Sequence, residues 1–146
     1  MPSARGMRHP IAFWNKTGNC YILISDMAKK ILIVEDEPDL RALTELFLQR
    51  AGYETVSCEN GREVFPSLDT TTPDLILMDV MLPGMDGIAL AKALSADPAK
   101  SKIPLIAVTA MSDTKSTFLE LPQCVGFVSK PFDMAQLLQT IKKVLK

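Results

Sequence analysis

Three carboxylates, a threonine and a lysine stand at the ends of four short strand-like stretches. Glu35 and Asp36 follow residues 31–34, Asp79 follows 75–78, Thr109 follows 104–108 and Lys130 follows 126–129. The unbroken apolar run over 75–78 reads as a strand buried on both faces, as in the middle of a parallel sheet, and 104–108 reads as another buried strand. If the strands are parallel, their carboxyl ends share one edge, and that edge is where open α/β sheets bind ligands. Carboxylates gathered there at about 5 Å, with an effective dielectric near 20, repel by roughly 3 kcal/mol per pair. Lys130 offsets only part of this, so a divalent cation is the expected counter-charge. Oxygen-only ligands select Mg²⁺ or Mn²⁺ over zinc. In such a site Asp79 can act as a nucleophile toward a phosphoryl group, with the cation and Lys130 stabilising the charge and Thr109 donating a hydrogen bond.

The elements that must position these residues alternate along the chain. After the first strand, Pro38 suits a first helical turn, and Leu40, Leu43 and Phe47 recur at helical spacing up to Ala51-Gly52, where Gly can take the left-handed cap. A brief strand over 55–58 closes on Glu59-Asn60-Gly61, and Pro66 limits a helix over 62–68 to a short or bent one. The run ending at Asp79 is followed by a Pro83-Gly84 turn, and Asp86 can cap a helix over 87–95. Residues 112–121 make a weak helix ended by Pro122. Asp133 then caps a last helix with an apolar stripe of Met134, Leu137, Leu138, Ile141, Val144 and Leu145. Five strands alternating with about five helices predict an α/β fold, a doubly wound five-stranded parallel sheet.

Composition narrows the function classes. The 146 residues fit one domain, and 47% apolar content suffices for a core. A net charge of -1 gives no electrostatic case for nucleic acid as a direct partner. Cys20, Cys58 and Cys124 lack metal-ligand spacing and read as reduced thiols of a cytoplasmic protein, with Cys58 and Cys124 buried. His9 is the only histidine. It lies in a segment that looks added, so the folded part has no histidine for a Ser-His-Asp, Cys-His or HExxH site. Residues 1–27 are expected to form an N-terminal extension and 28–146 the domain proper, because Met27-Ala-Lys-Lys looks like a natural start before a strand. The alternative for the extension is a short docking arm using Phe13 and Trp14. The apolar run 21–24 is too short for a signal segment or a membrane span.

Four motifs in register complete the pattern: Ile-Leu-Ile-Val-Glu35-Asp36-Glu37, Leu-Met-Asp79-Val-Met-Leu-Pro83-Gly-Met-Asp86-Gly87, Ala-Val-Thr109-Ala110 and Phe127-Val-Ser-Lys130-Pro131-Phe132. Over residues 29–146 the chain resembles the receiver domains of two-component response regulators, stand-alone and chemotaxis-regulator-like, with a flavodoxin-like (βα)5 fold. The resemblance implies that Asp79 accepts phosphate from a histidine kinase or histidine phosphotransfer protein and that the modified domain switches its binding of a downstream target. It implies Mg²⁺ held by Asp36, Asp79 and the backbone carbonyl of Met81, with Glu35 acting directly or through water. Thr109 becomes the switch hydroxyl, Phe127 the aromatic that turns inward, Lys130 the phosphate-pairing lysine, and Lys130-Pro131 a cis bond.

Some positions depart from the pattern. Glu35 is a methylene longer than the usual aspartate, and Phe127 lacks the hydroxyl of the usual tyrosine. Met81 and Met111 flank the phosphoryl path and cannot orient an attacking water, which implies slow self-dephosphorylation. No effector follows the last helix, so output is expected through a separate partner. Three other readings are weighed: a small-molecule phosphatase or phosphotransferase using the same acidic site, a flavodoxin-like cofactor carrier, and a phosphorylation-independent scaffold. The first lacks anything resembling a cap domain. The second is disfavoured because Glu35-Asp36-Glu37-Pro38 repels phosphate where a flavin site needs a small-residue cradle. The third is disfavoured by the intact acid, Thr and Lys set. Removing residues 1–26 is expected to leave the thermal midpoint and phosphoryl uptake unchanged; loss of either assigns that segment to the domain.

Overall fold

A computed structural model describes residues 10–14, 16–24, 28–82, 85–110 and 115–145. Its centre is a five-stranded sheet made of β3 (Lys30–Val34), β4 (Glu54–Cys58), β5 (Leu75–Asp79), β8 (Leu105–Thr109) and β9 (Cys124–Ser129), in the order β4-β3-β5-β8-β9. Every pairing within it is parallel. β5 is buried at every position, as its unbroken apolar run requires.

Side chains alternate across the strands, and the core divides accordingly. Leu32, Val34, Ile76, Met78, Leu105 and Ala107 enter one apolar layer with Val64, Leu90, Leu94 and Phe118. Ile31, Ile33, Leu75, Leu77, Ile106 and Val108 enter the other with Leu48, Leu137 and Ile141. The first layer is closed by α2 (Val64–Thr70), α3 (Gly87–Ala96) and α4 (Lys115–Leu119), the second by α1 (Pro38–Arg50) and α5 (Met134–Val144). This is the doubly wound arrangement that the alternating pattern predicts.

The local signals act as expected at most helix ends. Pro38 opens α1, and Gly52 follows it at φ +97°. Asp86 accepts a hydrogen bond from Ile88 N at 2.9 Å, and Asp133 accepts one from Gln136 N at 2.6 Å. α2 is short, at seven residues, as Pro66 predicts. A 3-10 turn over Gly61–Glu63 precedes α2 and places Pro66 in its first turn, where a missing N–H costs little. β9 starts two residues earlier than the sequence suggests. Its pairing skips one residue, taking Leu105 to Cys124 but Ile106 to Gly126, so the exposed Val125 bulges and Ser129 still lies opposite Thr109.

Two features differ from the sequence reading. The buried face of α1 carries Thr44 and Leu48, while Leu43 and Phe47 are exposed. Thr44 is tolerated there because its hydroxyl donates to the carbonyl of Leu40 at 2.7 Å. Two hairpins also lie outside the expected pattern: β1 (Pro10–Trp14) with β2 (Cys20–Ile24), in a sheet of their own, and β6 (Met81–Leu82) with β7 (Met85–Asp86). The second pairs the backbone on either side of Pro83-Gly84, where the sequence reading placed a turn alone. Cys58 and Cys124 are buried free thiols.

Candidate functional site

The carboxyl edge of the sheet gathers the residues that the sequence marked. Asp79 is the last residue of β5 and Glu35 directly follows β3; both are buried, at 5% and 6% exposure. β3 and β5 are neighbours, so their ends meet. Lys130, directly after β9, reaches across β8 and places its Nζ 2.8 Å from Asp79 Oδ2. The same Nζ lies 3.1 Å and 3.2 Å from the two carboxylate oxygens of Glu35. Met81 N donates to Asp79 Oδ1 at 3.0 Å, so the β6 turn fixes the second oxygen of that carboxylate. Met81 itself is exposed and pairs with Asp86 across the small hairpin.

Asp36 is exposed beside this pair. Carboxylate oxygens of Glu35, Asp36 and Asp79 all lie within 4.8 Å of one another. Thr109, fully buried at the end of β8, accepts the N–H of Lys130 at its carbonyl oxygen at 2.8 Å, which ties the lysine's backbone to the neighbouring strand. Lys130-Pro131 is cis. Phe127 is half-buried in β9, packed against the layer that holds Phe118. Pro83, Gly84 and Met111 lie outside the described residues.

Electrostatics follow from this crowding. Burial is the largest influence on Glu35, and it drives the carboxyl up from 4.5 to about 7; the Asp79 charge adds to the rise, while Lys130 opposes it. Burial by itself would lower Lys130. The hydrogen bonds and charges of Asp79 and Glu35 together outweigh it, and the ammonium is held above its ordinary range. One ammonium cannot balance three carboxylates. An oxygen-only donor set with surplus negative charge fits a hard divalent cation.

Two residues escaped the sequence reading. Arg41 projects from α1 beneath the acidic turn. Its Nη1 donates to the carbonyl oxygens of Glu35 at 2.9 Å and Asp36 at 3.4 Å, while Nη2 lies 3.4 Å from Glu59 Oε1. The available signal was a cation near the amino end of a helix, where the helix dipole disfavours one unless something else holds it. Gly87 is the other. Its N–H donates to the Val80 carbonyl at 3.0 Å, and a Cβ there would stand 2.6 Å from Val80 Cα. Only glycine lets α3 begin this close to the turn that carries the Asp79 loop.

A family model described as the response regulator receiver domain matches residues 31–142. The chain belongs to this family. The polar-differentiation response regulator DivK of Brucella anthropi is 36% identical over 121 residues, covering 82% of this chain and 98% of DivK. The phosphate regulon transcriptional regulatory protein PhoB of Pseudomonas aeruginosa is 38% identical over 122 residues, covering 82% of this chain and 53% of PhoB. The chain thus spans about half the length of PhoB. Among solved structures, the response regulator protein TrrA of Thermotoga maritima, in complex with Mg(2+)-BeF, superposes with a TM-score of 0.70 at 31% identity, covering 80% of this chain and 98% of that one. No helix among the described residues of this receiver domain is long and apolar enough to cross a membrane.

The raised Glu35 has a signed consequence for this receiver domain. A carboxyl whose folded-state value lies above its unfolded one contributes stability below pH 4.5, and this is lost as pH rises through about 7. In metal-free buffer, Glu35→Gln is therefore expected to gain on the unaltered protein in urea unfolding free energy between pH 5 and 8. Parallel pH profiles for the two would contradict the burial of an ionising Glu35.

Proposed function

We propose that this receiver domain takes a phosphoryl group onto Asp79 from a histidine kinase or histidine phosphotransfer protein, and that the modified form changes its binding of a downstream partner. The observation that carries the reading is the hold on the Asp79 carboxylate: Lys130 Nζ at 2.8 Å from one oxygen, Met81 N at 3.0 Å from the other. Two donors orient the carboxylate without exhausting its lone pairs.

An Asp79 oxygen forms the new bond to phosphorus as the bond to the donor's nitrogen breaks, and the electron pair leaves with the imidazole, which takes up a proton. Lys130 stays beside the modified carboxyl and pairs with the negative phosphoryl oxygens. Thr109, at the next strand end, donates its hydroxyl to another of those oxygens. Mg²⁺ or Mn²⁺ is the proposed cation, held by Asp36, Asp79 and the Met81 carbonyl with Glu35 direct or through water, and it supplies charge neutralisation for the transferring group. TrrA, solved with Mg(2+)-BeF, supports that assignment.

The new group replaces about one negative charge with two and adds acceptor oxygens. Each charge-assisted bond it gains is worth roughly 1.5–3 kcal/mol. That is enough to tip a local equilibrium of a few kcal/mol at Thr109 and the half-buried Phe127, which lie on adjacent strands. Met81 has no group with which to orient an attacking water, so the phosphoryl group leaves slowly. Residues 28–146 act as the domain and 1–27 as an extension to it. The domain works in the cytoplasm, with no nucleic acid or membrane as direct partner.

Intact-mass measurement after incubation with acetyl phosphate and Mg²⁺ tests this. The unaltered protein is expected to gain one phosphoryl group and Asp79→Asn none. Uptake by Asp79→Asn moves the acceptor elsewhere, and no uptake by the unaltered protein favours the scaffold reading.

A further inference from the structure

We propose that Arg41 is a positioning residue for the cation site, setting divalent-cation affinity by clamping the backbone of the turn that presents Glu35 and Asp36. This rests on the acidic edge binding a divalent cation, as argued above. The side chain is only 16% exposed, and its guanidinium reaches two successive carbonyl oxygens, those of Glu35 and Asp36, in addition to the Glu59 carboxylate. Those carbonyls belong to the peptide planes on either side of Asp36, so holding both restricts the direction in which the Asp36 side chain leaves the backbone. Asp36 needs such a hold. Glu35 has Lys130 on its carboxylate and Cys58 O on its N–H at 3.1 Å, whereas Asp36 is exposed.

The fork geometry matters. A guanidinium presents several rigid donors at once, and a lysine ammonium on a flexible stem reproduces the charge without the fork. Arg41 also sits on α1, whose Leu48 is locked into the core, so the clamp is anchored to a rigid element rather than to the loop it holds. Groups behind metal ligands that fix ligand orientation commonly alter affinity by 10–100-fold when removed.

Charge and position predict opposite signs, which makes the inference testable. Arg41 is a cation near a cation site; were it acting through charge alone, its removal would tighten binding. As a positioning residue its removal weakens binding. Mn²⁺ affinity, read from the free Mn²⁺ signal in electron paramagnetic resonance, is measured for the unaltered protein, Arg41→Ala, Arg41→Lys and Asp36→Asn, with a urea unfolding curve for each so that only folded protein is compared. Arg41→Ala is expected to lose about tenfold or more in Mn²⁺ affinity, with Arg41→Lys recovering only part of it. Unchanged or tighter binding by folded Arg41→Ala overturns the positioning role while leaving the cation site intact. If the unaltered protein binds no Mn²⁺, or Asp36→Asn binds it equally well, the cation site itself fails, and the clamp with it. If Arg41→Ala does not fold, Arg41→Lys decides: affinity equal to the unaltered protein overturns the fork argument.

Discussion

The site depends on one ammonium shared by two buried carboxylates. Lys130 Nζ lies within 3.2 Å of oxygens on Asp79 and Glu35, residues 51 and 95 positions away in the chain. An ionised carboxylate taken out of water costs several kcal/mol unless charge and hydrogen bonds compensate it. Two of them side by side cost more, and the Asp79 charge disfavours the ionisation of Glu35. The lysine relieves this incompletely, and the rise of Glu35 toward 7 is the remaining discomfort expressed as proton affinity. A proton, a cation or a rearrangement of the lysine can each relieve it. That susceptibility to a small change in charge is what a phosphoryl-driven switch requires.

Everything else in the fold serves to hold those three groups at one edge. Parallel pairing puts every strand's carboxyl end on the same side, and the apolar residues of β5 pin Asp79 in depth and register between β3 and β8. The bulge at Val125 absorbs the one mismatch in register between β8 and β9, so Lys130 starts its reach from beside Thr109. Gly87 allows α3 to start against Val80, which closes the turn whose Met81 N–H holds the far oxygen of Asp79. The energetic foundation is the pair of apolar layers; the precision comes from a few backbone contacts at strand ends.

Much of this was legible in the residues. The apolar runs that lead into Asp79 and Thr109 announced buried strands and the shared edge together, because a strand buried on both faces can tolerate chemistry only at its end; Lys130 follows the mixed run Gly126-Phe127-Val128-Ser129, the last strand of the alternation. The helix caps at Asp86 and Asp133 were equally local signals. What stayed hidden depended on tertiary contact. Arg41 looks like any helix cation until the carbonyls of Glu35 and Asp36 come above it. The inward face of α1 was misjudged because Thr44 hides its hydroxyl on Leu40, making a polar residue serve as core. The pairing of Met81-Leu82 with Met85-Asp86 flanks the Pro83-Gly84 turn signal but is too short for alternation to announce strands, and the pairing of Pro10–Trp14 with Cys20–Ile24 lies outside the main alternation.

If the buried carboxylates are held by Lys130 and by compensating charge, removing that charge must expose the cost. Urea unfolding of Lys130→Met at pH 8, with and without saturating Mg²⁺, measures it. The expected result is a loss of about 3–5 kcal/mol without the cation, with a substantial part restored when Mg²⁺ is added. Lys130→Met as stable as the unaltered protein in metal-free buffer at pH 8 would contradict the account.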